Sequence, residues 1–291
     1  MELKSHQRPL SVDEQIGNLK SLGLVINDEN RAREFLNDVS YFRLIKAYSL
    51  GLKIKNCNYN NEIQFEDIIE LYLFNANFRQ LIFPIIEKIE INLRCRLANY
   101  FSCEYGIFGY EKVENFTNPV FYDEFYTDYT KEISRNSNAP FVKNFCENYC
   151  ESKLPFYALV ELLSFGALSK FFKNMKNRDK KMVAQSFNVG YTYFESWIEN
   201  ISFVRNICAH YGRLYNAKLP KTPMLYGQYS DKGIKNNRVY ATLLCMKHLV
   251  PNDKHWTQIV EEIKLLFIKY PKVEKKLIGF PDNWYEYMHN L

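Results

Sequence analysis

The chain has 291 residues, of which 47% are hydrophobic and 16% aromatic, and this content excludes an intrinsically disordered protein. Its formal charge of +5, from 38 Lys and Arg against 33 Asp and Glu, permits a polyanionic partner without requiring one. No apolar run approaches the length of a membrane span and the first residues contain no apolar leader segment, so we expect neither membrane insertion nor export. The seven Cys follow no regular framework, which favours reduced thiols in a cytoplasmic protein.

The N-terminal segment is predicted to form two short helices. Ser11 and Glu14 match a capping box, in which two side chains satisfy the free amide groups at a helix start, so the first helix begins there. This helix is expected to end near Gly23, and the second is expected to begin at about Asp28.

The longest helix is predicted over residues 65–103. Apolar side chains recur there at steps of three and four residues, which is the period of a helix face. Pro84 lies inside this segment and predicts a kink, because proline lacks the amide donor. The following segment, 105–140, carries Gly and Pro among scattered aromatic residues. It is predicted to be a looser connection, either an inserted loop or a boundary between lobes.

The C-terminal half is also predicted to be helical. Residues 156–219 contain no proline, and we interpret them as two long helices separated by the charged segment 173–181. Three more helical segments are predicted: 236–249, 255–270 and a short one near Trp284. Few segments alternate with period two, so the predicted fold class is all-α, a helical bundle with irregular connections.

The segment Arg205-Asn206-Ile207-Cys208-Ala209-His210 carries the residues best suited to chemistry. A helix over 197–211, drawn at 100° per residue, places four polar side chains within about 40° of one another: Glu199, Ser202, Asn206 and His210. Its opposite face is apolar and is expected to pack in the core: Trp197, Ile201, Val204, Ile207, Cys208 and Tyr211. The helix therefore predicts a polar ridge on a buried support.

Two arginines are predicted to flank this polar ridge. Arg205 lies roughly 140° from His210 around the helix, so only its long side chain brings the guanidinium toward the imidazole. Arg213 joins the ridge only if the helix continues past Gly212. One helix by itself therefore gives an incomplete site.

Cleavage of RNA without a metal needs a base for the 2′-OH, an acid for the leaving 5′ oxygen, and positive charge near phosphorus. The imidazole of His210 accepts or donates a proton near neutral pH. The guanidinium of Arg205 stays charged and binds phosphate oxygens. Asn206, one turn before His210, is placed to hydrogen-bond the ring or a ribose hydroxyl. Because one chain supplies one such His, a two-fold dimer of these helices would complete the acid–base pair.

A structural interpretation fits the same residues equally well. A His near a helix C-terminus commonly caps the helix. Arg205 would then pair with Glu195 or Glu199 on its own helix. The residues alone leave the structural and catalytic interpretations open.

Together with three other segments, this motif makes the chain resemble the Abi-like family (AbiD/AbiF type) of bacterial phage abortive-infection proteins. The other segments are Tyr41-Phe42-Arg43-Leu44, the long helix with Arg79, Glu87, Glu90 and Arg94, and Leu154-Pro155 followed by 161–169; the motif itself continues to Asn216. The family looks like a branch of the HEPN superfamily of helical ribonucleases. The resemblance implies one elaborated domain over 1–291, with a HEPN-type core over 65–103 and 154–219, an insertion at 105–140, and additional N-terminal and C-terminal helices.

The resemblance also implies an activity. It makes Arg205, Asn206 and His210 the catalytic set of a metal-independent endoribonuclease that acts as a homodimer and leaves a 2′,3′-cyclic phosphate. RNA is the implied substrate, and a structured noncoding RNA is an implied partner for some members. The rival interpretation is a non-cleaving RNA-binding or interaction module, and a third is a toxin with a protein partner.

Glu161 and Arg213 are candidates for supporting roles. Glu161 precedes the Ser164-Phe165-Gly166 break and would orient His210 or Arg205 from a facing helix, or else be a solvated carboxylate. The densest positive run predicts contacts with RNA phosphates, or else a solvated face: Lys173, Lys176, Arg178, Lys180 and Lys181. Arg79, Glu87, Glu90 and Arg94 are interpreted as ordinary intrahelical pairs.

No metal or nucleotide cofactor is predicted. The five His are scattered along the sequence, and Cys146 with Cys150 lacks a second pair at a zinc-finger spacing. The sequence also lacks a glycine-rich loop that would bind the phosphates of a nucleotide.

Overall fold

The structure is a computed structural model that describes residues 8–50, 52, 58–60, 62–250 and 253–290. Within these ranges the secondary structure is helical, with isolated bridges that include Val25–Gln64 and Phe116–Met175. The predicted all-α class is confirmed. Across the same ranges, no helix combines the length and the apolar character that crossing a membrane requires.

The first two helices begin where the sequence predicts. Helix α1 (Val12–Ser21) starts at the capping box, in which the amides of Ser11 and Glu14 donate to each other's side chains at 2.8 and 3.2 Å. Helix α2 (Glu29–Val39) starts after Asp28, whose carboxylate accepts a hydrogen bond from the first turn. Local capping chemistry therefore sets both helix starts.

A π-helical turn, Phe42–Lys46, precedes the central helix α3 (Phe65–Tyr105). Helix α3 has 41 residues and continues through Pro84, so the long predicted helix is confirmed. Most of its apolar side chains are buried, from Phe65 to Phe101, and Ile91 is an exposed exception. A helix buried in this way is stabilised mainly by the neighbours packed around it.

Segment 105–140 differs from the loose connection expected from the sequence. Two 3₁₀ turns, Gly109–Glu111 and Val113–Asn115, lead into α4 (Pro119–Arg135), which Asn118 caps. Five aromatic side chains of this segment are buried: Tyr110, Phe116, Tyr122, Phe125 and Tyr129. Residues that look scattered along the sequence are therefore part of the core. That the segment is an insertion stays a prediction.

Residues 156–219 do not form two long helices. After α5 (Pro140–Asn148) the chain makes four helices: α6 (Phe156–Leu159), α7 (Phe165–Asn174), α8 (Asn177–Gln185) and α9 (Tyr191–Ala209). The hydroxyl of Ser164 accepts a hydrogen bond from the Ala167 amide and so starts α7 as a separate helix. Gly190, with extended backbone, starts α9. The polar cap at Ser164 and the extended backbone at Gly190 thus divide segments that the hydrophobic period alone would join into longer helices.

The C-terminal part adds α10 (Gly227–Ser230), α11 (Val239–Leu249), α12 (Asp253–Lys269) and α13 (Trp284–His289). The last three lie where the sequence predicts helices. Helix α3 contacts α6, α7, α9, α11 and α12, and α9 contacts α7, α8 and α11. The segment 205–210 therefore lies at the end of a helix packed against α3 and α7.

Candidate functional site

Three of the four residues of the predicted polar ridge line one groove. Glu199, Ser202 and Asn206 form part of the wall of a cavity of about 300 Å³ that opens between α4, α7 and α9, and His210 lies outside it. We call this cavity the aromatic groove, after the residues that define it: Phe121, Phe125, Gly166, Ala167, Phe203 and Asn206. The predicted side-by-side placement of Glu199, Ser202 and Asn206 is confirmed.

Arg205 lies beside the ridge, as predicted, and its side chain contacts α3. Its Nε is 3.3 Å from Oε2 of Glu90. This nitrogen is buried but forms no hydrogen bond, so the contact is a Coulombic attraction between the two charges. The ion pair with Glu195 or Glu199 that the structural interpretation suggested is not formed, because those carboxylates pair with lysines instead.

Glu90 connects Arg205 to a second arginine. Nη2 of Arg94 donates to Oε1 of Glu90 at 2.9 Å, and both side chains are largely buried. Nη1 of Arg94 also donates to the carbonyl of Leu163 at 2.9 Å, which ties the chain before α7 to α3. The intrahelical pair expected from the sequence is present, but Glu90 serves two helices. The contact between Glu90 and Arg205 depends on the packing of α9 against α3, which the sequence does not show.

Glu161 lies near this cluster. Its Oε2 is 3.9 Å from Nε of Arg94, and its side chain is 61% exposed. Glu161 and Arg205 line a second cavity of about 580 Å³, which we call the charged groove. It is defined by Glu90, Arg94, Lys131, Arg135, Glu161 and Arg205. Glu161 thus shares a groove with Arg205 but pairs with Arg94, and among the described residues it forms no hydrogen bond or ion pair with His210.

His210 is the C-terminal cap of α9 and is exposed. Its backbone amide donates to the carbonyl of Asn206 at 3.0 Å. In the part of the chain that the structure describes, its imidazole takes part in no hydrogen bond or ion pair. The ring is therefore open to a molecule that approaches from solvent.

Tyr211 and Arg213 differ from their predicted positions because α9 ends at Ala209. Tyr211 adopts a left-handed backbone with φ of 57° and is 68% exposed, so its predicted place in the core is wrong. Arg213 does not join the ridge. Its Nη1 donates to the carbonyl of Tyr215 at 2.8 Å, and burial lowers its pKa.

Helix α3 fixes the turn that follows His210. The fully buried Asn75 accepts hydrogen bonds at Oδ1 from the amides of Leu214 and Tyr215, at 2.7 and 3.0 Å. Three more side-chain donors end on carbonyls of this turn: Asn75 Nδ2 to Gly212 at 3.2 Å, Arg79 Nη1 to Gly212 at 2.7 Å, and Arg43 Nη1 to Tyr211 at 2.9 Å. The intrahelical role expected for Arg79 is therefore wrong, since its partner is a backbone group across the core.

The positive run after α7 does not form one exposed surface. Lys180 is buried, and its Nζ lies 2.8 Å from Oε2 of Glu195. This burial leaves Lys180 unsuited to the RNA contact predicted for it, because α8 turns this residue toward α9. The other four have separate neighbours: Lys173 lies 3.9 Å from Glu199, Arg178 pairs with Glu104, and Lys176 and Lys181 lie over the rings of Tyr105 and Tyr191.

The described residues contain no cluster of three or more His, Cys, Asp or Glu side chains arranged to hold a metal ion. His6, Cys57 and the side chain of His255 lie outside the described residues.

One comparison with known proteins gives a match. A family model described as Abi-like protein matches residues 34–216, which include α3, both grooves' α9 side and the turn after His210. No curated protein matches, and no solved structure matches.

Proposed function

This chain belongs to the family of Abi-like proteins, and from that premise we propose that it is a metal-independent endoribonuclease of bacterial phage defence. The family match covers more than half of the chain and suggests a role in abortive infection. One observation carries the nuclease proposal: a short stretch of α9 presents Arg205 and Asn206 to two adjoining grooves and ends in the free imidazole of His210.

The proposed reaction is attack by the 2′-OH on the neighbouring phosphorus. The bond from O2′ to phosphorus forms and the bond to O5′ breaks, which leaves a 2′,3′-cyclic phosphate and a 5′-hydroxyl. His210 removes the proton from O2′ or donates one to O5′. Arg205 neutralises the added charge on the phosphorane, and Asn206 binds a ribose hydroxyl.

Two copies of the chain would complete this site. In an in-line displacement the attacking and leaving oxygens lie on opposite sides of phosphorus, so one imidazole does not serve both. A two-fold dimer supplies a second His210. Large exposed side chains near the end of α9 support such a contact: Tyr211 is 68% exposed, and Phe42, beside the Arg43 that bonds to Tyr211, is 79% exposed.

Cleavage of end-labelled single-stranded RNA in excess EDTA tests the proposal. We expect the parent to cleave, His210→Ala and Arg205→Ala to lose cleavage, and His289→Gln, a change to a His far along the chain, to cleave like the parent. Product ends should be 2′,3′-cyclic phosphates, and a 2′-deoxy substitution at the cleaved nucleotide should block the reaction. Unchanged cleavage in both site variants would reject these residues.

The alternative is a protein that binds RNA at the same ridge without cutting it. An exposed and unpaired Asn206 would also suit binding alone. The cleavage assay is repeated with the parent protein alone, with a candidate structured noncoding RNA added, and after that RNA is removed. A parent protein that binds the labelled RNA but leaves it intact under all three conditions would favour this alternative. We also propose that such a noncoding RNA restrains the nuclease activity by binding over His210.

A further inference from the structure

The aromatic groove is a cavity that the proposed chemistry does not use except through Asn206. We propose that it holds one unpaired nucleobase of the bound RNA, which would restrict the protein to single-stranded segments. The inference rests on the proposed function, because it takes RNA as the ligand of the ridge.

The shape and lining of the groove suit a flat aromatic ring. Phe121, Phe125 and Phe203 supply ring surface, and Gly166 with Ala167 leaves space because neither has a long side chain. A volume of about 300 Å³ lies at the small end of ligand sites, the size for one base with part of its sugar. Stacking on aromatic side chains is a usual way for proteins to hold unpaired bases.

Two polar groups of α9 are placed to bind the edge of such a base. Asn206 is exposed, and its amide forms no hydrogen bond with the described residues, so it offers both an acceptor and a donor, one for the base edge and the other for the ribose hydroxyl of the proposed reaction. The Ser202 hydroxyl donates to the carbonyl of Glu199 at 2.9 Å, which leaves its oxygen free to accept. The Watson–Crick edge of a base is free to bind these groups only when the base is not paired in a duplex.

The lining of the groove contains three carboxylates, Glu124, Asp128 and Glu199, and three lysines, Lys170, Lys173 and Lys221, of which two are placed to bind the phosphates on either side of that base. Nζ of Lys170 and of Lys173 lie 3.8 and 3.9 Å from their nearest carboxylates, too far for hydrogen bonds, and both side chains are exposed. These ammonium groups therefore retain donors for phosphate oxygens. Glu199 is held differently: its hydrogen bond from Lys221 lowers the pKa of its carboxyl and keeps it charged.

The groove also adjoins the residues proposed for chemistry. It shares Asp128 and Ala167 with the charged groove that Arg205 lines. A base in the aromatic groove would therefore bring its own phosphate toward the consecutive residues Arg205 and Asn206. This continuity favours RNA over an unrelated small ligand.

Equilibrium binding of a fluorescent single-stranded RNA of about 12 nucleotides tests the inference. The protein is the full chain with His210→Ala, so that the probe stays intact. Phe121→Ala removes one stacking surface, and Gly166→Leu fills the groove, where an added Cβ meets only the Ser164 Oγ at 3.8 Å. Phe141→Ala is the matched control, because this phenylalanine of α5 is similarly exposed but does not line the groove.

We expect each groove variant to weaken binding about tenfold or more, the loss of one stacked base, with unchanged thermal unfolding. Phe141→Ala should bind like the parent, and duplex RNA of the same sequence should compete poorly. Equal affinity for all variants, or equal competition by duplex, would overturn the inference. So would groove variants that alter the oligomeric state without altering RNA affinity, since a second copy would then be the occupant.

The same proteins separate this inference from the nuclease proposal. If binding depends on the groove but the parent, which retains His210, does not cleave, the nuclease proposal is rejected and the base site is supported. If the parent cleaves RNA but the groove variants bind RNA as tightly as the unsubstituted groove does, the base site is rejected and the nuclease proposal is retained.

Discussion

Nε of Arg205 lies 3.3 Å from Oε2 of Glu90, an acidic residue of α3, and no hydrogen bond joins them. Glu90 gives its hydrogen bond to Arg94 instead. The polar contact between Arg205 and α3 is therefore a charge attraction without a hydrogen bond. The guanidinium of Arg205 is less constrained than that of Arg94. A phosphate in the charged groove would compete for it without first breaking a hydrogen bond at Nε.

Removing the charge of Glu90 should destabilise the fold, because two arginines would lose their shared partner. Glu90→Gln is expected to lower the free energy of unfolding by about 1–3 kcal/mol. Glu161→Gln is the matched control, since Glu161 is exposed and 3.9 Å from Arg94; it should cost less than about 0.5 kcal/mol. Urea denaturation measures both, and equal losses would contradict the shared role of Glu90.

Mixing parent and inactive chains tests whether the site is shared between copies. Parent and His210→Ala chains, unfolded and refolded together in equal amounts, form mixed dimers that carry one His210. Because the proposed site takes its acid and its base from two copies, these mixed dimers should be inactive, and random pairing then leaves about a quarter of the rate of the parent alone at the same total concentration. Fluorogenic RNA cleavage measures the rate. About half of that rate, in a mixture that sedimentation shows to contain mixed dimers, would mean that each copy acts by itself.

Asn75→Ala should strongly destabilise the turn after His210. The change removes two bonds accepted from buried backbone amides and one bond donated to the half-buried carbonyl of Gly212, for an expected loss of about 3 kcal/mol or more. Asn77→Ala on the same helix removes one side-chain bond, from Nδ2 to the Tyr270 hydroxyl at 2.6 Å, and should cost about 1 kcal/mol. Chemical denaturation compares the two. Similar losses would show that Asn75 does not hold the turn.

Neighbouring lysines of α8 should behave in opposite ways. Lys180 is buried against Glu195, so Lys180→Ala should reduce stability by about 2 kcal/mol or more and leave the salt dependence of RNA binding unchanged. Lys181 is exposed, so Lys181→Ala should leave stability within about 0.5 kcal/mol. If Lys181 contacts a phosphate, the slope of log affinity against log salt falls by about one. The reverse pattern would contradict the observed burial.

His248 should make the fold less stable in mild acid. Burial lowers the pKa of His248 in the folded chain below its usual value, and its Nε2 lies 2.7 Å from the Tyr229 hydroxyl. Below pH 6.5 the unfolded chain therefore binds more protons, and stability falls until the folded pKa is passed, by at most about 1.4 kcal/mol per pH unit. Tm measured at about pH 7.5 and about pH 5.5 should fall less in His248→Gln than in the parent. An equal fall would assign the pH dependence to other groups.

Local signals in the sequence predicted the fold class and several helix starts. The capping box at Ser11 and Glu14, the Asp28 cap and the apolar period of 65–103 all act through neighbours within a few residues, so no knowledge of the fold is needed to interpret them. The same approach failed over 156–219. There the apolar period continues across α6 and α7, and the cap at Ser164 is a single residue in an otherwise apolar stretch.

The sequence by itself determined that α9 carries Glu199, Ser202 and Asn206 on one side, because 100° per residue is a property of any α-helix. It also determined that Arg205 and His210 point apart. Tertiary packing decided the partners: Glu90 for Arg205, Asn75 and Arg79 for the turn after His210, and α4 and α7 for the walls of the aromatic groove. These contacts join residues more than a hundred positions apart or on separate helices, and only the burial of apolar faces against one another brings them together.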